Sequence, residues 1–189
     1  MRKLIYFIAS TVDGFIADPG GDFGFFPLEP ALLDFVAAEF PETLPTHVRA
    51  HLGLDAPNRV FDTLVMGRGT YEPGRAIGVT SPYAHLKQYV FSRTAKPAPE
   101  PEVEIVSGDP VELVRRLKLE DGLNIWLCGG GDLAAQLLPE VDEVIVKVNP
   151  VLAGNGIPMF RGDFNPTGLT LLSARPLDDG VVVLHYARS

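Results

Sequence analysis

Asn124 to Leu138 reads N-I-W-L-C-G-G-G-D-L-A-A-Q-L-L, and the reading of this stretch decides the fold. Ile125 to Cys128 has strand character and runs directly into Gly129-Gly130-Gly131. The glycines open an amphipathic helix carrying Leu133, Ala134, Leu137 and Leu138. A strand that ends in three glycines and starts a helix leaves several backbone N–H groups facing one point. The positive end of the helix dipole lies at that point, so a phosphate group suits it. Glycine also lets a large ligand approach the backbone closely. The pyrophosphate of a dinucleotide is the ligand this turn fits.

Working outward, Lys3 to Ser10 (K-L-I-Y-F-I-A-S) is nearly continuously apolar, as a central strand covered on both faces must be. Thr63 to Met66, Gln88 to Phe91, Val103 to Val106 and Val141 to Val148 read as further strands. Glu29 to Phe40 spaces Leu32, Leu33, Phe35, Val36 and Phe40 as a helix does, with Pro30 in the first turn. Asp109-Pro110-Val111-Glu112 is a helix start, with Asp as N-cap, and that helix runs to Leu119. Pro41 to Arg59 reads as a long, partly helical surface connection, and Asp18 to Asp22 and Pro97 to Pro101 read as loops. Leu169 to Ser173 and Val181 to Tyr186 are late strands joined by Asp179-Gly180, a hairpin signal. This order predicts one α/β domain over residues 1–189. Its sheet is mixed and mostly parallel, with helices on both faces and an antiparallel hairpin at the C-terminus.

Composition narrows the function classes. Apolar residues are 46% and charged residues 21%, ordinary for a soluble chain of 189 residues. A net charge of −8 without any Lys/Arg cluster argues against nucleic acid and anionic membranes as partners. Leu4 to Ala9 follows Arg2 and Lys3, but it is too short for a leader and Asp13 comes soon after, so a cytoplasmic protein is expected. The single cysteine, Cys128, rules out an internal disulfide or a multi-thiolate metal site. His47 and His51 have i, i+4 spacing, which suits a surface pair or a metal site. They lack an H-E-x-x-H pattern, so no metal is assigned. Phe23, Phe25 and Phe26 either line an apolar pocket or plug one end of the core.

Three strands end alike, at Gly67-Arg68-Gly69-Thr70, at Ser92-Arg93-Thr94, and at Gly129-Gly130-Gly131-Asp132-Leu133. In an open α/β sheet the ligand crevice lies beyond the carboxyl ends of the strands. Glycines give close approach, hydroxyls hydrogen-bond, and arginines neutralise phosphate. Gly129 to Ala134 also fits the G-x-G-x-x-A pattern of the Rossmann fold. That fold expects an acid about 20 residues on to hold the ribose, where this chain has Asn149. Its fingerprint also comes early in the domain, so the Rossmann version is rejected. Asp132 is an anion beside the turn, suited to capping the helix or meeting the ligand.

The order of the tips resembles the dihydrofolate reductase superfamily. Met66-Gly67-Arg68-Gly69-Thr70-Tyr71-Glu72, Phe91-Ser92-Arg93-Thr94 and Cys128-Gly129-Gly130-Gly131 are similar to its three cofactor motifs. Val12-Asp13-Gly14-Phe15-Ile16 and Asn149-Pro150-Val151-Leu152-Ala153-Gly154-Asn155-Gly156 resemble signatures of the branch that holds the riboflavin-biosynthesis reductase domain. The resemblance implies a three-layer dihydrofolate reductase-like fold and an NADPH-dependent reductase. Its relative would be 5-amino-6-(5-phosphoribosylamino)uracil reductase, or a pterin reductase of dihydrofolate reductase type. A third alternative is an NADPH-binding protein of weak activity. Gly67, Arg68, Gly69 and Thr70 would meet phosphates; Ser92, Arg93 and Thr94 the adenosine 2′-phosphate region; and Gly129 to Leu133 the pyrophosphate. A cis peptide is expected between Gly129 and Gly130. A small-molecule substrate would lie among Ser10, Asp13, Gly14, Phe25, Asp34, Pro150, Val151, Gly154 and Gly156. Asp13 would serve it as a hydrogen-bonding or proton-relaying group, or merely shape its turn, and Asp34 is the approximate match for a pterin-binding carboxylate. The branch carries Glu where this chain has Cys128, which leaves the substrate open. No H-x-E or P-C-x-x-C deaminase signature is present. Dimers are usual in the branch, and the late strands offer an apolar edge for a second copy.

Overall fold

The apolar stretches assemble into one eight-stranded sheet in a computed structural model that describes residues 1–27, 29–94, 98 and 100–189. The elements are β1 (Leu4–Thr11), β2 (Phe15–Ala17), α1 (Pro30–Glu39), α2 (Thr46–His51), β3 (Phe61–Gly67), α3 (Arg68–Ala76), β4 (Lys87–Phe91) and β5 (Val103–Val106). They continue as α4 (Pro110–Lys118), β6 (Asn124–Gly129), α5 (Gly131–Leu137), β7 (Val141–Asn149), β8 (Ile157–Pro158), β9 (Leu169–Pro176) and β10 (Val182–Arg188). Strands order as β5-β4-β3-β6-β1-β7-β10-β9. The first six run parallel, and β10 is antiparallel to both β7 and β9. A separate two-stranded piece pairs β2 with β8.

β1 sits between β6 and β7, which explains its unbroken apolar sequence. Alternate residues serve opposite faces, as the pleat requires. Leu4 and Tyr6 join the core packed by Leu113, Val114 and Leu117 of α4 and Leu133, Ala134 and Leu137 of α5. Ile5 and Phe7 join the opposite core, with Leu32, Phe35 and Val36 of α1 and Tyr71 of α3. Helices therefore cover both faces, as the sequence order predicts. Asp109 caps α4, its carboxylate accepting the Val111 N–H at 2.8 Å.

Two stretches differ from the sequence expectation. Pro41 to Arg59 is not a surface connection throughout: Glu42, Thr43, Leu44 and Arg49 are buried. Glu42 is drawn inside because β3 begins with N–H groups that need an acceptor, and its carboxylate takes those of Val60 and Phe61 at 2.7 and 2.8 Å. α3 forms despite Gly69, Pro73 and Gly74, residues that disfavour a helix interior. Burial of Tyr71, whose hydroxyl donates to the Thr80 carbonyl at 2.7 Å, overrides that local preference. Residues 97 and 99 of the expected Pro97–Pro101 loop lie outside the described residues. β9 is exposed along its whole length, Leu169, Leu171 and Leu172 included.

Candidate functional site

Because β3, β4, β5 and β6 run parallel, their carboxyl ends open on one side of the sheet. There Gly67 to Thr70, Ser92 to Thr94 and Gly129 to Leu133 line a single cleft of about 1080 Å³. Every residue that the sequence assigns to the cofactor is on its wall. Ser107, Gly108 and Pro110, at the tip of β5, line it as well, as does Gln136 of α5. The same rule would have found that fourth tip, since Ser107-Gly108 follows a strand and precedes a helix start.

The tips touch one another. A Cβ placed on Gly67 would lie 3.7 Å from the Gly130 nitrogen, and one on Gly129 would lie 3.5 Å from Thr70 Oγ1. Arg68 Nη1 donates to Thr94 Oγ1 at 3.0 Å, joining the β3 and β4 tips. α3 and α5 start behind Gly67 and Gly130, and neither start has a side-chain cap. Asp132 makes no capping hydrogen bond either; its carboxylate pairs with Arg161 at 3.7 Å. The Gly129–Gly130 peptide is cis, as the resemblance implies. Gly129 has a φ of 141°, a conformation other residues rarely adopt. Gly131 is fixed by packing rather than by a ligand: a Cβ there would collide with the Pro158 carbonyl oxygen. Position 130 differs, since a Cβ there would meet only Thr70 Oγ1, at 3.8 Å.

The other half of the cleft is aromatic. Phe7, Tyr83, Trp126, Phe23, Phe26 and Ile16 line it, with Thr43, His47, Cys128 and Lys147 as its polar groups. Trp126 meets Tyr83 edge-on at 5.0 Å, and its indole N–H donates to the Phe7 carbonyl at 3.0 Å, which fixes the floor. Burial pushes the Cys128 thiol up to about 12, so it is a neutral thiol and no nucleophile. Sequence reasoning passed over Lys147. The signal was present, because it is a charge two residues beyond Ile145 on the same face of an apolar strand.

Of the residues expected to hold substrate, Asp13, Gly14, Val151 and Gly154 are brought together by backbone pairing and the Asp13 carboxylate, and none of the expected set is on the cleft wall. Val12 N–H donates to the Val151 carbonyl at 2.9 Å, and Met159 N–H to the Gly14 carbonyl at 3.0 Å. Asp13 accepts from Thr11 Oγ1 at 2.6 Å, from Ala153 N at 3.1 Å and from Gly154 N at 2.7 Å. The Thr11 hydroxyl, helped by those two amides, holds its carboxyl down to about 2. Asp13 is therefore ionised at neutral pH with both oxygens engaged, a loop clamp and not a proton donor. Ser10 is buried and donates to the Thr11 carbonyl. Gly156 packs on the Ala17 carbonyl. Pro150 is exposed. Asp34 is also exposed and lines a separate hollow beside Phe35 and Arg175, so it does not reach the cleft. Phe25 packs against Phe26 with ring centroids 4.5 Å apart and the rings tilted by 37°, leaving Phe23 and Phe26 on the wall.

Comparison with known proteins agrees with this architecture. The family model of the RibD C-terminal domain matches residues 2–183. The chain is 30% identical to the uncharacterised protein YwjB of Bacillus subtilis, across 100% of this chain and 99% of that one. A crystal structure from Shewanella sp. PV-4, described as a candidate riboflavin biosynthesis protein, shares 26% identity with a TM-score of 0.68 and covers 100% of this chain and 99% of its own. Dihydrofolate reductase from Enterococcus faecalis, complexed with NADP(H) and a further ligand, shares the fold at a TM-score of 0.65 and 17% identity, covering 99% of this chain and 96% of its own.

Proposed function

The chain belongs to the RibD C-terminal domain family, and from that premise we propose that it is a reductase using NADPH to reduce a small heterocyclic or sugar-like compound. The observation that carries this reading is the convergence of four strand tips, two of them bearing exposed arginines, on one cleft. Position 130 is open where a dinucleotide would press against the backbone, and two helix starts without side-chain caps face the same space. Arg68 and Arg93 supply the positive charge that such a ligand needs. When bound, NADPH supplies the hydride. The protein's own work is to hold, orient and keep dry. Gly67 to Thr70 and Gly129 to Leu133 would hold phosphates, and Ser92 to Thr94 the adenosine 2′-phosphate region. Asp13 would clamp the loop from Pro150 to Gly156, and the aromatic half would exclude water from the reacting atoms. A reaction that draws on reduced dinucleotide fits a cytoplasmic setting.

Trp126 is the chain's single tryptophan and lies on the cleft wall, so it reports on occupancy. NADPH is expected to quench its emission with a Kd of about 1–100 µM, roughly −8 to −5.5 kcal/mol. Unchanged emission up to millimolar NADPH would sink the proposal. The apolar edge at β9 further supports a homodimer joined there, since an exposed strand edge is a template for pairing. Sedimentation should show a dimer at micromolar concentration that Leu171→Glu converts to monomer; a wild-type monomer sinks this part.

A further inference from the structure

Among the described residues lining the cleft, Arg68, Arg93 and Asp132 belong to the strand tips, and Lys147 is the one other residue with a full formal charge. Its position follows from the pleat. Val144 and Val146 of β7 pack toward α4 and α5, whereas Ile145 faces the other core with Phe7. Lys147 comes two residues later, on the Ile145 face, in register with Ala9 of β1 and Val183 of β10. That puts it near the carboxyl ends of the parallel strands, where the crevice lies. Its tail folds back so that Nζ stands 3.8 Å above the centroid of the Phe7 ring. The Lys147 ammonium forms no ion pair or hydrogen bond among the described residues. An ammonium has three protons to place, and a ring face satisfies them poorly.

We propose that Lys147 binds and protonates the acceptor heteroatom of a planar, phosphate-free carbonyl or imine compound held in the aromatic half of the cleft, an assignment that rests on the reductase reading above. Arg68 and Arg93 line the cleft at the strand tips, where the dinucleotide phosphates would lie, which leaves one ammonium for the substrate, and a phosphate ester would need more donors. The aromatic side chains of Phe7, Trp126, Tyr83 and Phe26 in the lining suit a ring system. The step balances. Bound NADPH would supply the hydride that the carbon of the C=O or C=N bond needs, and Nζ would give its proton to the heteroatom. The N–H electron pair stays on Lys147 as a neutral amine, which regains a proton from water. Burial brings the ammonium down to about 8, while Cys128 opposes the shift. Cys128, Tyr83 and His47 share the chamber with it. The Cys128 thiol and the Tyr83 phenol are both raised by burial, so each stays neutral where Lys147 titrates. The protonated form is the active one, so turnover should fall as pH rises through about 8.

Two arms test this. The first treats the protein, without dinucleotide, with 2-naphthaldehyde and borohydride and maps the reductively alkylated lysines. Lys147 should label with half-maximal yield near pH 8, below the pH at which exposed Lys3 and Lys87 label. Labelling of Lys87 without Lys147 overturns the proposal. The second arm measures reduction of 9,10-phenanthrenequinone by NADPH, with Trp126 quenching run in parallel. Lys147→Met should lower kcat about 100-fold while changing the NADPH Kd less than about twofold. Lys147→Arg, which keeps the cation but does not give up its proton, should lower kcat as Lys147→Met does and lose the decline above pH 8. An unchanged kcat in Lys147→Met, or the same pH profile in Lys147→Arg, overturns the proposal. So does a wild type that binds NADPH and leaves the quinone unreduced. Absence of quenching in the wild type defeats the dinucleotide reading instead, whereas quenching with an unlabelled Lys147 defeats only the proposal.

Discussion

Gly131→Ala is expected to destabilise the protein by about 3 kcal/mol, because the new methyl group has nowhere to go. Its Cβ would collide with the Pro158 carbonyl oxygen and lie 3.5 Å from the Arg161 nitrogen, both of them backbone atoms. Relief requires moving the segment from Pro158 to Arg161. That segment is held by Arg161 N–H donating to the Gly131 carbonyl at 3.0 Å and by Tyr6 donating its hydroxyl to the Met159 carbonyl at 2.9 Å. Phe160 adds an edge-on contact with Tyr6 at 5.2 Å. For a chain of this size the melting temperature should fall by about 6–12 °C. Gly130→Ala is the control. Its φ of −97° accepts alanine, and the methyl group meets only Thr70 Oγ1. That variant should keep its melting temperature within about 3 °C while NADPH binding weakens roughly 100-fold, since the methyl group occupies the space a phosphate needs. Equal melting losses in the two variants would show that both glycines are there for packing. The cradle reading would then fail.

This pair of glycines also shows how far the sequence carries. The motif Gly129-Gly130-Gly131 located the turn, but it assigned all three glycines to ligand approach. Only the folded chain separates one glycine set by a positive φ, one left open to the cleft and one pressed against a distant loop. The strands were legible because pleat alternation and apolar runs are local signals. α3 was not, because its helix rests on Tyr71 burial, a tertiary contact that outweighs Gly69, Pro73 and Gly74. The strand tips that line the cleft were legible for the same reason as the strands, since each tip follows its own strand. The residues expected to meet substrate do not line the cleft, though several are near neighbours in sequence of residues that do. Asp13 and Gly154 are where the chain clamps two loops together, and the wall is formed by neighbours such as Ile16, Ala17 and Ile157. A motif names the residues a fold needs at a turn; it does not say whether they face the ligand or each other.

Removal of Arg93 should cost NADPH far more than NADH. The chain's net charge of −8 opposes the approach of a polyanionic ligand, so local cations at the rim carry more of the recognition than they would on a neutral protein. Arg93 is exposed at the β4 tip, and Arg68 is tied to the same tip through Thr94 at 3.0 Å. A hydrogen bond from a guanidinium to phosphate contributes about 1.5–3 kcal/mol, so Arg93→Ala should raise the NADPH Kd roughly 10- to 150-fold. NADH lacks the 2′-phosphate and should lose less than about twofold. Arg68→Ala should follow the same pattern, because its bond to Thr94 turns the guanidinium toward the β4 tip. Rising salt should weaken wild-type binding more than that of either variant, since the screened attraction has already been removed from the variants. Titrations of both dinucleotides against Trp126 emission at two salt concentrations decide the matter. Equal losses for NADPH and NADH would move the affected arginine from the 2′-phosphate to the pyrophosphate and leave the β4 tip without its assigned role. A preference for NADPH that survives both substitutions would remove the arginines from recognition, leaving Ser92, Thr94 and the backbone of the four tips to make the distinction.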